Sequence, residues 1–132
     1  MSATGYSGKP LWAKLGLKAG QRVEVIAAPA DYTELTGFDS ATLDFPARGA
    51  LDLIHGFVAT RASLDALLDR GEQRLVERGV LWVSWPKRSA NVATELTEDT
   101  VRELALPRGW VDIKVCAVDA TWSGLKLVRR KA

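Results

Sequence analysis

The segment GVLWVSWPKRSANVATELTED, residues 79–99, contains the elements that decide the fold. Residues 80–85 are almost entirely apolar, which is typical of a strand that is covered on both faces of a sheet. Thr97 is suited to cap a following helix, with Glu98 and Asp99 in the first turn, where the helix dipole favours anionic side chains. A strand, a polar loop and a helix therefore follow one another here, as they do in the repeating unit of an α/β fold.

Similar patterns continue on both sides of this segment. RVEVIAAP, which Pro29 ends, and ALDLIHGFVAT are two earlier apolar strands. The apolar stripe from Leu64 to Val76 predicts a helix that stops at Gly79. WVDIKVCAVD and GLKLVRR are two late strands joined by a short turn, which is typical of a hairpin. Because strands separated by helices need crossovers, the order predicts an α/β three-layer sandwich with a mostly parallel sheet and a C-terminal antiparallel hairpin.

Shorter elements occupy the rest of the chain. LWAKLGL predicts a short helix, DYTELTG one or two helical turns stopped by Gly37, and ATLDF a brief strand. Gly71 weakens the long helix by about 0.5–1 kcal/mol relative to alanine, so we expect packing to hold that helix.

Residues 1–10 are rich in Ser, Gly and Thr and predict a flexible N-terminal arm, and residues 11–132 predict a single α/β domain.

Composition and charge exclude several classes of protein. A hydrophobic content of 47% with 26% charged residues indicates a globular chain rather than a disordered one. The apolar runs are of strand length, far below the roughly 20 residues that a membrane span needs, so we expect no membrane partner. A single cysteine and the lack of an apolar signal core predict a cytoplasmic protein. A net charge of +2 does not predict the broad basic face that nucleic acids require.

Three stretches resemble landmarks of class I, S-adenosylmethionine-dependent methyltransferases. LGLKAGQRVEVIAAP resembles the approach to the first strand of that family, LDLIHGFVAT its fourth strand, and LVERGVLWVSW the entry to its fifth. The chain is also similar to a family of small bacterial proteins that share LWVSWPK, LTED and VDIKVCAVDATWSGLKLV and have no assigned activity. The resemblance implies a reduced, Rossmann-like methyltransferase fold and brings no catalytic residues with it.

The chain departs from the methyltransferase pattern where that family binds its cofactor. The family follows its first strand with a glycine-rich turn, whereas AAPADYTELTG has no glycine before Gly37. Only 22 residues separate Ala28 from Leu51, too few for the family's second and third strand–helix units. The resemblance leaves Asp39 or Asp44 as the carboxylate that would bind the cofactor ribose.

The rim formed by the carboxyl ends of the parallel strands is the expected ligand site, since open α/β sheets bind ligands there. The residues predicted at this rim are Asp31, Tyr32, Thr60, Arg61, Trp85, Lys87, Arg88, Ser89, Trp122 and Ser123. Trp85 and Trp122 are suited to sandwich a planar ligand. Lys87, Arg88 and Arg61 are suited to hold an anion such as phosphate or carboxylate. The alternative is that both indoles close the end of the core while the cations remain in solvent.

Other reactive side chains lack the neighbours that catalysis needs. Asp31 and Tyr32 suit acid–base roles, although an Asp in such a segment is also common turn chemistry. His55, the single histidine, lies in the middle of a strand, where we expect a hydrogen-bonded core residue. Cys116 lies inside a strand and should act as a small hydrophobe. One His and one Cys give no cluster with metal-ligand spacing, so no metal is expected.

Two functions remain open from the sequence. The first is a non-catalytic module that binds a small ligand or a protein on a degenerate methyltransferase-like fold and uses no cofactor. The second is a reduced methyltransferase that binds S-adenosylmethionine atypically near residues 28–32. A homodimer with Trp12 and Trp110 at its interface is a further alternative.

Overall fold

All five strands of the computed structural model, which describes residues 9–130, belong to one mixed sheet. The strands are β1 (Val23–Ile26), β2 (Leu51–Phe57), β3 (Leu75–Pro86), β4 (Trp110–Ala117) and β5 (Trp122–Arg129). Their spatial order is β1-β2-β3-β5-β4, with β1, β2 and β3 parallel and β5 antiparallel to both of its neighbours. The predicted α/β sheet with a C-terminal antiparallel hairpin is confirmed.

Helices cover both faces of the sheet. They are α1 (Leu11–Leu15), α2 (Tyr32–Thr36), α3 (Arg61–Arg74) and α4 (Glu98–Ala105). Short 3₁₀ turns lie at Ser40–Thr42, Arg88–Ala90 and Leu106–Arg108. The side chain of Thr97 caps α4 by accepting from the Thr100 N–H, and Gly37 ends α2 in the left-handed conformation, both as predicted.

The alternation of side chains along β3 divides the core into two layers. Leu81, Val83 and Trp85 pack with α3 and α4 on one face of the sheet. Trp82 packs with α1 and α2 on the other face, where its indole N–H donates to the Leu15 carbonyl at 3.0 Å. A strand whose two faces are both buried has to be apolar throughout, and this accounts for the sequence of β3.

The helix predicted to run to Gly79 is shorter than its periodicity indicated. α3 ends at Arg74, and Leu75 and Val76 already belong to β3. The first pair of the β2–β3 ladder joins Leu51 to Leu75, so pairing with β2 prevails over the helical pattern. Position 71 of α3 requires a glycine, because a Cβ there would lie only 2.9 Å from Cη2 of Trp110.

The segment after β1 also differs from its prediction. β1 ends at Ile26, three residues before Pro29, and Ala27 then bends the chain with a left-handed φ of 59°. The predicted ATLDF strand is reduced to one bridge, in which Asp44 pairs with Arg22 on the side of β1 away from β2. This segment covers the outer edge of β1 at the amino end of that strand.

Two further expectations concern the termini and the homodimer. Most of the predicted N-terminal arm, residues 1–8, lies outside the described residues, and Pro10 is the N-cap of α1. Trp110 is fully buried against α3, so the expectation that it marks a subunit interface is wrong.

None of the helices within residues 9–130 is long and apolar enough to cross a membrane.

Candidate functional site

The ends of three strands meet at one rim of the sheet. Pro86 at the end of β3 pairs with Trp122 at the start of β5, and the Lys87 N–H donates to the Thr121 carbonyl at 2.7 Å. The Val58 N–H donates to the Ser84 carbonyl at 2.9 Å, which brings the end of β2 to the same place. The predicted convergence of the loops around Trp85 and Trp122 is therefore confirmed.

The predicted sandwich of a planar ligand between Trp85 and Trp122 is wrong. Trp85 is opposite Ser123 in the ladder, and Trp122 is opposite Pro86, so the two indoles point to opposite faces of the sheet. Trp85 packs on the α3 and α4 side. Trp122 packs edge-on against Phe57 on the α1 and α2 side, with ring centroids 5.2 Å apart. Each indole closes its own layer of the core.

A cleft of about 450 Å³ opens at this rim on the α4 side of the sheet. Trp85, Lys87, Arg88 and Ser123, all predicted from the sequence, line one wall of this space, which we name the Trp85 cleft. The opposite wall comes from residues 92–98, which connect β3 to α4. The structure thus brings four of the ten predicted residues together around one open space.

The loop that forms the second wall is fixed to the connection between β2 and α3. The Ala59 carbonyl accepts from the Glu95 N–H at 2.8 Å and from the Thr94 hydroxyl at 2.9 Å. The carboxylate of Glu95 in turn accepts from the Arg61 N–H at 2.8 Å through its Oε1. These hydrogen bonds join segments that are far apart in the chain, and no pattern in the sequence predicted them.

Charges in the cleft are unevenly matched. Glu98 is bound by the guanidinium of Arg102, one turn further along α4. Lys87 and Arg88 form no ion pair with any residue in the range 9–130, and Arg88 is exposed to solvent. The positive charge on the first wall is therefore available to a ligand, whereas part of the negative charge on the second wall is already neutralised.

Trp85 also presents a polar atom to the cleft. The residue is only 4% exposed, and its indole Nε1–H has no hydrogen-bond partner among the described residues. Since no side-chain nitrogen or oxygen within that part of the chain is both fully enclosed and unpaired, this N–H retains contact with solvent, and Trp85 lines the cleft. The Ser123 hydroxyl, half-buried on the neighbouring strand, is likewise unpaired there.

The other six predicted residues lie outside the cleft. Asp31 caps α2 by accepting from the Thr33 and Glu34 N–H groups, and Thr60 caps α3. The side chains of Arg61 and Ser89 are exposed without lining the cleft, and Trp122 faces the other layer. The expectation that Tyr32 serves a ligand is wrong, because its side chain is buried against the core.

A buried polar chain joins three elements below the rim. The Tyr32 hydroxyl lies 2.7 Å from Nδ1 of His55, and Nε2 of His55 lies 2.7 Å from Oγ of Ser84. Burial lowers the pKa of His55 to about 3 and raises the pKa of Tyr32. His55 is thus a neutral, hydrogen-bonded core residue, as predicted. The sequence contained one indication of the hydrogen-bond partner of His55, because Ser84 is a polar residue within an otherwise apolar strand.

The end of β1 lacks the glycine-rich turn at which methyltransferases bind S-adenosylmethionine. The chain presents side chains at Ala27 and Pro29, both exposed, where a glycine-rich turn would let a cofactor approach the backbone. Asp44, expected as a ribose ligand, lies at the amino end of β1, away from the rim, so that expectation is wrong. The carboxylate of Asp39 instead caps the 3₁₀ turn that begins at Ser40.

Several solved methyltransferases are similar in structure to this chain. Aeropyrum pernix fibrillarin, in complex with natively bound S-adenosyl-L-methionine, is 14% identical, with a TM-score of 0.59 over 95% of this chain and 71% of its own. The ribosomal protein L11 methylase of Lactobacillus delbrueckii subsp. bulgaricus is 13% identical, with a TM-score of 0.57 over 90% and 74%. A Pyrococcus furiosus methyltransferase is 11% identical, with a TM-score of 0.55 over 91% and 80%. The chain has a methyltransferase-like fold.

This likeness concerns the fold alone, because the identities are low. No protein-family model and no curated protein sequence matches the chain. The reduced methyltransferase-like fold expected from the sequence is confirmed, but folds of this kind host many functions. Within residues 9–130, no group of three or more His, Cys, Asp or Glu side chains is placed to hold a metal ion.

Proposed function

We propose that the chain is a ligand-binding module on a degenerate methyltransferase-like fold, with its ligand in the Trp85 cleft. The position of that cleft carries the proposal, since it adjoins the ends of β3 and β5 and contains unpaired cations and donors. Open α/β sheets bind ligands at this rim. Its volume of about 450 Å³ falls within the range of roughly 300–1,000 Å³ for small-molecule sites.

The single histidine and the single cysteine lie outside the cleft lining, which supports a binding role over a catalytic one. His55, the single histidine, is fully buried in the opposite layer of the core, and its lowered pKa keeps it neutral. Cys116 is half-buried in β4, and burial raises the pKa of its thiol. Neither group is a ready proton acceptor or nucleophile for a ligand in the cleft.

A reduced S-adenosylmethionine-dependent methyltransferase is the second candidate, favoured by one observation. Ala27 bends the chain with a φ of 59° directly after β1, where methyltransferases make their cofactor turn. Fold relatives such as Aeropyrum pernix fibrillarin bind S-adenosylmethionine. A cofactor bound there would touch residues 27–32, well apart from the Trp85 cleft in the sheet order.

Amide-resolved NMR distinguishes the two candidates. S-adenosylmethionine and its demethylated product are added in turn to the labelled protein, followed by separate pools of nucleotides, sugar phosphates, amino acids and carboxylic acids. The binding-module proposal expects shifts at residues 85–88, 92–98 and 123 from one of the pools. Shifts at residues 27–32 on adding S-adenosylmethionine would instead establish the second candidate.

A pair of variants tests the location. Ser123→Phe places a ring inside the cleft and should abolish the response to the active pool. Ser89→Phe introduces the same side chain at an exposed position that does not line the cleft, so it should retain the response. An unchanged response in Ser123→Phe would place the ligand elsewhere.

A further inference from the structure

Four hydrogen-bond donors of the Trp85 cleft lack acceptors among the residues that the structure describes. They are the indole N–H of Trp85, the hydroxyl of Ser123, the ammonium group of Lys87 and the guanidinium group of Arg88. Trp85 is 4% exposed, and its unpaired N–H retains some contact with solvent. An acceptor on a ligand would replace the solvent at this donor with a directed hydrogen bond.

The two walls of the cleft offer opposite chemistry. Lys87 and Arg88 stand together at the end of β3 with no carboxylate paired to them in residues 9–130. Across the cleft, Glu95 uses Oε1 to accept from the Arg61 N–H and keeps Oε2 free of any partner within that range. One end of a ligand should therefore be an anion, and the other end should donate hydrogen bonds.

We propose that the Trp85 cleft binds a phosphate monoester of a sugar or nucleoside. This inference rests on the proposed function, because it names the ligand of that same cleft. A phosphate group carries up to two negative charges and three terminal oxygens, which suit two cations and two neutral donors better than the two oxygens of a carboxylate do. The hydroxyl groups of the sugar then donate to Glu95.

Each predicted contact has a distinct role. Arg88 provides a planar, forked donor that can hold two phosphate oxygens, and Lys87 adds a point charge. The N–H of Trp85 and the hydroxyl of Ser123, on paired positions of β3 and β5, add two directed donors from rigid strands. A site that combines two cations with two donors fixed on a sheet should prefer a tetrahedral oxyanion over a planar carboxylate.

Titration calorimetry on the full chain provides the test. The probes are ribose 5-phosphate, adenosine monophosphate, adenosine, ribose 5-carboxylate and inorganic phosphate. The monoesters should bind, adenosine should bind at least about tenfold more weakly, and added salt should weaken the monoesters further. Inorganic phosphate should compete with the monoesters in a displacement titration but bind with lower affinity, because it lacks the sugar hydroxyl groups that donate to Glu95.

Charge-matched variants distinguish phosphate binding in the cleft from a general attraction of phosphate to the positively charged protein. Lys87→Gln with Arg88→Gln should weaken monoester binding about a hundredfold, as expected for the loss of two hydrogen bonds to charged groups. Lys18→Gln with Arg78→Gln removes the same charge at exposed positions outside the cleft lining and should change affinity less than about twofold. Trp85→Phe retains an aromatic ring but loses the N–H together with part of the indole, so it should weaken binding about tenfold.

The outcomes are decisive in each direction. Equal weakening in the two double variants would show that net charge alone attracts phosphate, and it would overturn the inference. Binding of carboxylates or neutral compounds in the cleft, with no response to monoesters, would also overturn it while leaving the proposed function intact. A response confined to S-adenosylmethionine at residues 27–32 would refute both. If Trp85→Phe does not fold, the two double variants decide the question.

Discussion

Acidification should destabilise this protein through His55 before any carboxylate contributes. The pKa of His55 is lowered by burial from 6.5 to about 3 in the folded chain, whereas the unfolded chain keeps the ordinary value. Between those two values the unfolded chain binds the extra proton, so the free energy of unfolding decreases as the pH falls. From about pH 7.5 to about pH 5.5 the loss is about 1.4 kcal/mol, and it reaches about 2.7 kcal/mol near pH 4.5.

The upper part of that range isolates the histidine. The pKa values of Glu24, Asp52 and Asp112 are lowered mainly by hydrogen bonds from their arginine partners, so these carboxylates weaken the fold only below about pH 5. Urea unfolding at about pH 7.5 and at about pH 5.5 therefore measures the contribution of His55 with little interference. The control replaces the whole polar chain by apolar groups of similar size, as Tyr32→Phe, His55→Leu and Ser84→Ala together.

The triple variant should lose the pH dependence in this window, because it contains no histidine. Since the chain has a single histidine, the NMR signal of its ring Hε1 proton can be assigned without ambiguity. That signal should not move between about pH 8 and about pH 5 in the folded protein. A midpoint near the ordinary histidine value, or equal pH dependence in the triple variant, would refute the assignment of a buried, neutral His55.

Three further substitutions test packing, strain and charge by urea unfolding. Gly71→Ala should destabilise by about 1–3 kcal/mol despite the higher helix propensity of alanine, because the new methyl group meets Trp110; a gain in stability would contradict that contact. Ala27→Gly should stabilise by about 1 kcal/mol by relieving the left-handed φ of 59°, and a loss would show that the turn is unstrained. Lys114→Glu should stabilise by about 0.2–1 kcal/mol, because Lys114 lies directly opposite Lys126 in the β4–β5 ladder. The pKa of Lys126, which is lowered mainly by burial and further by Lys114, should then rise, and an unchanged Lys126 titration would exclude repulsion between the two lysines.

The candidate site combines predicted and unpredicted parts. Trp85, Lys87, Arg88 and Ser123 were predicted at one rim because strand ends in an α/β sheet share an edge, and the structure brings them together. The second wall was not predicted, since it depends on Glu95 and Thr94 reaching the Ala59 carbonyl, 35 or more residues earlier in the chain. Pattern along the chain indicates which residues end strands, but it does not show which loops bond to each other.

The faces of the sheet explain why the tryptophan sandwich failed. Trp85 and Trp122 end neighbouring strands, and sequence alone supplies no register between β3 and β5. The ladder sets Trp122 opposite Pro86 rather than opposite Trp85, and this single-residue offset sends the two indoles to opposite layers. Tyr32 misses the rim for a different reason, since the packing of α2 on the sheet places its hydroxyl against His55 on β2.

Apolar periodicity and capping chemistry act over a few neighbouring residues, so they were enough to predict the sheet, its three parallel strands, the closing hairpin, the Thr97 cap and the Gly37 stop. The end of α3, the need for a small residue at position 71 and the polar groups that line the cleft were settled by the folded arrangement. Those features depend on distances between segments far apart in the chain. Long-range packing fixes such distances, and the secondary-structure preferences of neighbouring residues do not predict them.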